Sequence, residues 1–220
     1  MGAKRRIALY GGTFDPVHSG HLEVARRVSE LFEIEEVLFL PAQVAPHKLG
    51  KAVTAPLHRY AMLVLATQDD PNLAVSTFEI EATGPRYTVD TLAHFVSTLG
   101  DPSELFFIMG ADSWVEITTW REWKRLLTMV NHIVVTRPGY DMVGPVEMNN
   151  RIVDMRSKKI FQDESGPKIY LTDAVMKDVS ATKIRSLANS GRFDELATLV
   201  SPGVAKYIEK YGIYRESNEV

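Results

Sequence analysis

Short apolar runs that recur down the chain, each followed by a segment of helical periodicity, constrain this sequence more than any other feature. Ile7 to Tyr10, Val37 to Leu40, Leu105 to Met109, Ile133 to Val135 and Lys168 to Thr172 read as buried strands, and Ala74 to Ile80 as an alternating one. Leu22, Ala25, Val28 and Phe32 recur at helical spacing and predict a helix over 19–33. Pro56 suits the first turn of a helix reaching about Gln68, Thr88 suits the N-cap of one ending at Gly100, and Trp120 to Met129 reads as helix. Ser180 opens a further helix, with two short ones after it. This alternation predicts an α/β fold, a doubly wound and mostly parallel Rossmann-like sheet, with a small C-terminal helical subdomain. The expected division is residues 1–179 for the sheet domain and 180–220 for the subdomain. Residues 140–167 lose clear periodicity.

In open α/β sheets ligands bind beyond the carboxyl ends of the strands, so chemistry is expected just after Tyr10, Leu40, Met109 and Val135. The segment after the first strand is Gly11-Gly12-Thr13-Phe14-Asp15-Pro16-Val17-His18-Ser19-Gly20-His21. Glycines at the turn let a ligand approach the backbone, and the N-terminus of the following helix favours phosphate. His18 and His21 are spaced so that both imidazoles can face one ligand. A second segment, Ser180-Ala181-Thr182-Lys183-Ile184-Arg185, sets two hydroxyls and two cations at another helix start, a pattern suited to a polyphosphate. Taken alone, that pattern is also what an ordinary N-cap looks like.

Composition excludes several classes. The 220 residues contain no cysteine, which removes disulfide frameworks, thiolate metal sites and a cysteine nucleophile, and suits a reducing cytoplasm. The 25 Lys and Arg against 28 Asp and Glu leave a net charge of −3, unlike a general nucleic-acid binder. Ile7 to Tyr10 is too short an apolar run for a signal peptide or membrane span. Neither Walker-type nor Gly-x-Gly-x-x-Gly loops occur, and His18-x-x-His21 lacks further ligands at zinc spacing.

The first segment together with the distal Ser-x-Thr-x-x-Arg resembles the nucleotidyltransferases that carry a His-x-Gly-His motif. Pro46-His47-Lys48, Pro85-Arg86-Tyr87-Thr88, Gly110-Ala111-Asp112-Ser113 and Thr119-Trp120 narrow the resemblance to bacterial nicotinate-nucleotide adenylyltransferases, from Ile7 to Gly212-Ile213-Tyr214. The resemblance implies transfer of AMP from ATP to nicotinate mononucleotide, with Mg²⁺ carried mainly by phosphates rather than protein side chains. It implies that His18, His21 and Arg185 are catalytic, and that Gly12, Thr13, Phe14, Gly110, Asp112, Arg137, Ser180 and Thr182 complete the ATP site. Asp112 would hold the ribose and Arg137 would lie near the adenine. On the other substrate, Trp120 would stack on the pyridine, Tyr87 and Thr88 would bind its carboxylate, and His47 and Lys48 would lie near the phosphate. No nucleic acid or membrane partner is expected, and self-association is left open. Phosphopantetheine adenylyltransferases, cytidylyltransferases, a catalytically silent nucleotide sensor and an aminoacyl-tRNA synthetase fragment are the rival readings. Ala45 stands where many relatives have a second proline, and Met109 where isoleucine is commoner.

Overall fold

The computed structural model describes residues 4–43, 53–84, 86–101, 103–136, 145–156, 159–160, 166–173 and 179–215. Its strands are β1 (Arg6–Gly12), β2 (Glu36–Pro41), β3 (Leu73–Val75), β4 (Glu104–Gly110), β5 (Asn131–Val135), β6 (Ile152–Asp154), β7 (Lys159–Ile160) and β8 (Ile169–Thr172). Its helices are α1 (Ser19–Phe32), α2 (Pro56–Thr67), α3 (Thr88–Leu99), α4 (Ala111–Val115), α5 (Trp123–Met129), α6 (Ala181–Asn189), α7 (Phe193–Ala197) and α8 (Pro202–Tyr211). The described strands form one sheet in the order β3-β2-β1-β4-β5-β8-β6-β7. The β1–β4, β4–β5, β5–β8 and β8–β6 pairs are parallel, and β6–β7 is antiparallel. Because β2 and β4 flank β1, the strand order reverses there, and the switch point lies beyond the carboxyl ends of β1 and β4.

The chain divides into two compact units. One comprises residues 1–11, 24–38 and 86–176; the other comprises 12–23, 39–85 and 177–220. In the first, parallel strands are apolar on both faces, as a sheet covered on both sides requires. Registers such as Leu9↔Phe107 and Ile108↔Ile133 stack these side chains. Phe32 of α1 closes onto Phe106 and Tyr170 with ring centroids 6.1 and 5.0 Å away. At the start of β1, Arg6 donates to the Phe32 carbonyl and to the carboxylates of Glu33 and Glu104. In the second unit, α8 packs along α2, and an added methyl at Gly203 would sit 3.4 Å from Leu65. Pro56 stands at the start of α2, as expected.

Four sequence expectations shift. The strand expected over 74–80 stops at Val75, because the Ser76 hydroxyl captures the Phe78 N–H and the Thr77 carbonyl the Glu81 N–H, turning the chain. Thr88 is the first residue of α3 rather than its cap; Tyr87 holds the cap position with no side-chain bond. Trp120 is not helical: a 3₁₀ turn over Ile117–Thr119 ends at it, and α5 begins only at Trp123, after Glu122 at φ 50°. Strands β6 and β7 lie in the stretch whose periodicity is unclear, and at three and two residues they are too short to show any. Among the described residues, no helix is long and apolar enough to cross a membrane.

His132 on β5 is wholly buried, with its Nδ1 2.9 Å from the Val130 carbonyl and its ring against Phe107. Burial lowers its pKa to about 4, below the ordinary 6.5. An imidazole held neutral in the folded state contributes fully above pH 6.5, and that contribution falls as pH drops from 6.5 toward 4, because the unfolded chain protonates first. His132→Leu should therefore lose about 2 kcal/mol less stability than the parent between pH 7 and pH 5, as read from urea unfolding at both values. Equal losses in the two proteins would show that this imidazole is not held neutral.

Candidate active site

The second unit contains the turn that follows β1. A methyl added at Gly12 would lie 2.8 Å from the Phe14 ring, so only glycine fits. Phe14 is buried at φ 49°, a left-handed conformation that costs a side-chain-bearing residue about 1–2 kcal/mol. Its ring meets His21 edge-on at 5.0 Å and Phe39 at 5.4 Å. The turn is held from beneath by Arg59 of α2, whose guanidinium is completely buried. Nη1 donates to the Thr13 carbonyl at 2.7 Å, Nε to Thr54 at 2.8 Å, and Nη2 to Ala42 and Gln43 at 2.6 and 3.0 Å. Burial lowers the Arg59 pKa, and the negative charge of Asp15 opposes that shift.

Asp15 is 5% exposed and gathers three separate segments. Its carboxylate accepts the Tyr214 hydroxyl at 2.7 Å and the Thr54 N–H at 3.3 Å, while its carbonyl accepts Arg185 Nη1 at 2.7 Å. Tyr214 sits at φ 71°, two residues past Gly212 at φ 61°.

The two histidines stack, with centroids 3.7 Å apart and planes 22° from parallel. The His18 N–H donates to His21 Nδ1 at 3.2 Å. A neutral His21 therefore carries its proton on Nε2, which fixes that atom as the donor. Burial lowers the His18 pKa to about 4, so near neutral pH His18 offers a hydrogen bond rather than a full charge. Its Nδ1 is buried without a hydrogen-bond partner. Several backbone N–H groups at the start of α1 are already committed. The Ser19 N–H donates to Leu199, His21 N–H to His18, and His18 N–H to the imidazole.

At α6, Ser180 is the N-cap, its hydroxyl accepting the Lys183 N–H at 3.2 Å. Arg185 Nη2 donates to the Thr182 hydroxyl at 3.2 Å while Nη1 reaches Asp15. Thus one guanidinium ties the distal segment to the histidine-bearing turn, and Ser180, Thr182 and Lys183 stay exposed beside it.

The first unit holds the other expected residues. Gly110 ends β4 and caps α4; it is exposed, and a methyl there would meet nothing within 4 Å. Asp112 lies exposed in the first turn of α4. Trp114 fills the core at 1% exposure, whereas Trp120 is half-buried at the 3₁₀ terminus. The Arg121 guanidinium lies 4.8 Å over the Tyr87 ring, which brings the Trp120 turn to the start of α3. His47, Lys48 and Arg137 lie outside the described residues.

Residues 9–187 match the Cytidylyltransferase-like family model. A protein described as a probable nicotinate-nucleotide adenylyltransferase from Thermoanaerobacter sp. (strain X514) is 38% identical over 221 residues, with 100% of this chain and 99% of that one covered. One so described from Desulfitobacterium hafniense (strain Y51) is 40% identical over 211 residues, covering 96% of each. The chain belongs to the nicotinate-nucleotide adenylyltransferase family. Its fold is also that of a solved structure, Plasmodium falciparum nicotinic acid mononucleotide adenylyltransferase complexed with NaAD. The TM-score is 0.71 at 20% identity, with 96% of this chain and 97% of that one covered.

Sequence reasoning missed Arg59, Asp15 and Tyr214 as the groups that hold this turn. Asp15 and Tyr214 stand inside matched motifs, yet nothing in one sequence pairs positions 199 residues apart. An arginine four residues into a helix whose neighbours are Met62 and Leu63 is a weak signal for a buried cation, but it was there to read. Arg59→Met should destabilise the protein by about 3–5 kcal/mol in urea unfolding, since four carbonyls lose their donor at once. A loss under about 1 kcal/mol would show that the turn holds without it.

Proposed function

We propose that this protein transfers AMP from ATP to nicotinate mononucleotide, releasing pyrophosphate and forming nicotinate adenine dinucleotide in NAD biosynthesis. Relatives covering nearly the whole chain carry that activity in their names. The observation that carries the reading is the joining of the two signature segments through Arg185, which sets the His21 donor and the exposed Ser180 and Thr182 hydroxyls around one turn.

The nucleophile is an oxygen of the mononucleotide phosphate, already anionic near neutral pH, so no protein nucleophile is needed. It attacks the α-phosphorus of ATP, and the bond to the β-phosphate oxygen breaks as pyrophosphate leaves. Catalysis is then positioning of two polyanions in line and stabilisation of charge on the leaving group. In this reading His21 Nε2 donates to the reacting phosphate, with His18 stacked against its ring as a second donor. Arg185, Ser180 and Thr182 hold the β- and γ-phosphates. The turn at Gly12, Thr13 and Phe14 lies against the triphosphate, Asp112 and Gly110 receive the ribose, and Arg137 lies near the adenine. On the acceptor, Trp120 stacks on the pyridine, the N–H groups at Tyr87 and Thr88 receive the carboxylate, and His47 and Lys48 attend the phosphate.

In this reading Mg²⁺ would be carried mainly by the phosphates of ATP, where it would supply charge neutralisation. Residues 180–220 complete the ATP site in this reading, and the absence of cysteine suits work in the cytoplasm.

Pyrophosphate release should be fastest when the protein is given ATP, Mg²⁺ and nicotinate mononucleotide, and slower with nicotinamide mononucleotide or phosphopantetheine in its place. A preference for phosphopantetheine would overturn the proposal. His21→Ala should lower kcat on the order of 10²–10³ while leaving ATP affinity largely intact, as for loss of one positioned donor. Near-normal turnover by that variant would remove His21 from the mechanism.

A further inference from the structure

The Gly212-Ile213-Tyr214 segment is one of the motifs of the sequence for which the proposed reaction has no use. Its side chain nevertheless ends at the catalytic turn. The Tyr214 hydroxyl donates to Asp15 Oδ1 at 2.7 Å, and Asp15 in turn holds Arg185 through its carbonyl at 2.7 Å. We propose that Tyr214 is a positioning residue for nucleotide binding, a strap from the end of the chain that acts through Asp15 to fix Arg185.

Three observations support it beyond the contact itself. Tyr214 adopts φ 71°, a left-handed conformation that an aromatic residue takes only when its surroundings impose it, and Gly212 at φ 61° supplies the turn that delivers it. Such strain is warranted when the hydroxyl must land on one atom. Burial and the neighbouring Asp15 charge also raise the phenol well above its usual range, so the group remains a donor throughout the working pH. Finally, the carboxylate it meets is 5% exposed, and its other bond, from the Thr54 N–H, is longer at 3.3 Å. The Tyr214 bond is thus the shorter of the two that the Asp15 carboxylate accepts among the described residues, and it anchors the residue whose backbone carbonyl receives Arg185. Arg185 has only one other hydrogen bond of its own among those described, to a flexible hydroxyl on its own helix, Thr182.

The groups facing this contact come from every segment packed on it. They are the Arg59 guanidinium beneath, the Thr54 N–H from the lead into α2, and Arg185 from α6. The inference rests on the proposed reading in one respect, that Arg185 binds the phosphates of ATP.

A double-mutant cycle on binding tests it without requiring turnover. Calorimetry would measure the Kd of a non-hydrolysable ATP analogue with Mg²⁺ for the parent, Tyr214→Phe, Arg185→Ala and the double variant. Tyr214→Phe should weaken binding about five- to tenfold, and Arg185→Ala at least as much. The double variant should bind no more weakly than Arg185→Ala alone, since the strap then has nothing to position. A merely structural tyrosine would instead give losses that multiply, and that result overturns the proposal, as does unchanged affinity in Tyr214→Phe. Thermal unfolding of each variant guards the comparison. If Tyr214→Phe unfolds at the assay temperature, the cycle is repeated at a lower temperature at which thermal unfolding shows every variant folded, with the same outcomes supporting or overturning the proposal. A parent protein that fails to bind the analogue removes the ATP reading and the strap together, whereas a parent that binds with an unaffected Tyr214→Phe variant removes only the strap.

Discussion

A single buried cation underlies the geometry of the turn that follows β1. Arg59 has no exposed surface and commits its donors to the carbonyls of Thr13, Ala42, Gln43 and Thr54. Taking a guanidinium out of water is unfavourable unless its hydrogen-bonding capacity is met. Arg59 meets that condition by organising backbone from three stretches of chain, so the cost of burying it becomes the rigidity of the turn. The left-handed Phe14, the stacked imidazoles and the carbonyl that receives Arg185 all sit on that support.

Charge and burial also divide the histidines by role. His21 has its Nδ1 occupied by a backbone donor, leaving Nε2 as the proton-bearing face. His18 is kept neutral by burial. A composition with a net charge of −3 therefore has less cationic character at the motif than two histidines suggest. Arginine supplies the permanent charge, and imidazole supplies direction.

Much of this was legible in the sequence, for physical reasons. Buried parallel strands are continuous apolar runs, so β1, β2, β4, β5 and β8 announced themselves, and the periodicity of α1 is that of a helix with one buried face. The Ser180 cap was readable because a hydroxyl before an amphipathic stretch has one favourable use there. The tight turn after β1 was readable from Gly11 and Gly12, which follow an apolar strand directly. What stayed hidden depends on tertiary contact. Ser76 ends β3 through a side-chain bond that propensity does not record, and Trp120 leaves the helix because a 3₁₀ turn intervenes. The partners of Asp15 lie at sequence separations of 170 and 199 residues, which no local pattern encodes.

Those separations bear on the order in which the molecule is made. Asp15 leaves the ribosome before its partners, Arg185 and Tyr214, which follow 170 and 199 positions later. The strands of the sheet can pair as they emerge, since domains form progressively during synthesis. The carboxylate of Asp15 must wait for Tyr214 before its closing donor arrives. The turn after β1 is thus finished only after the described strands of the sheet have been made, and a chain released between Thr172 and Tyr214 would have strands able to pair around a turn still missing that partner.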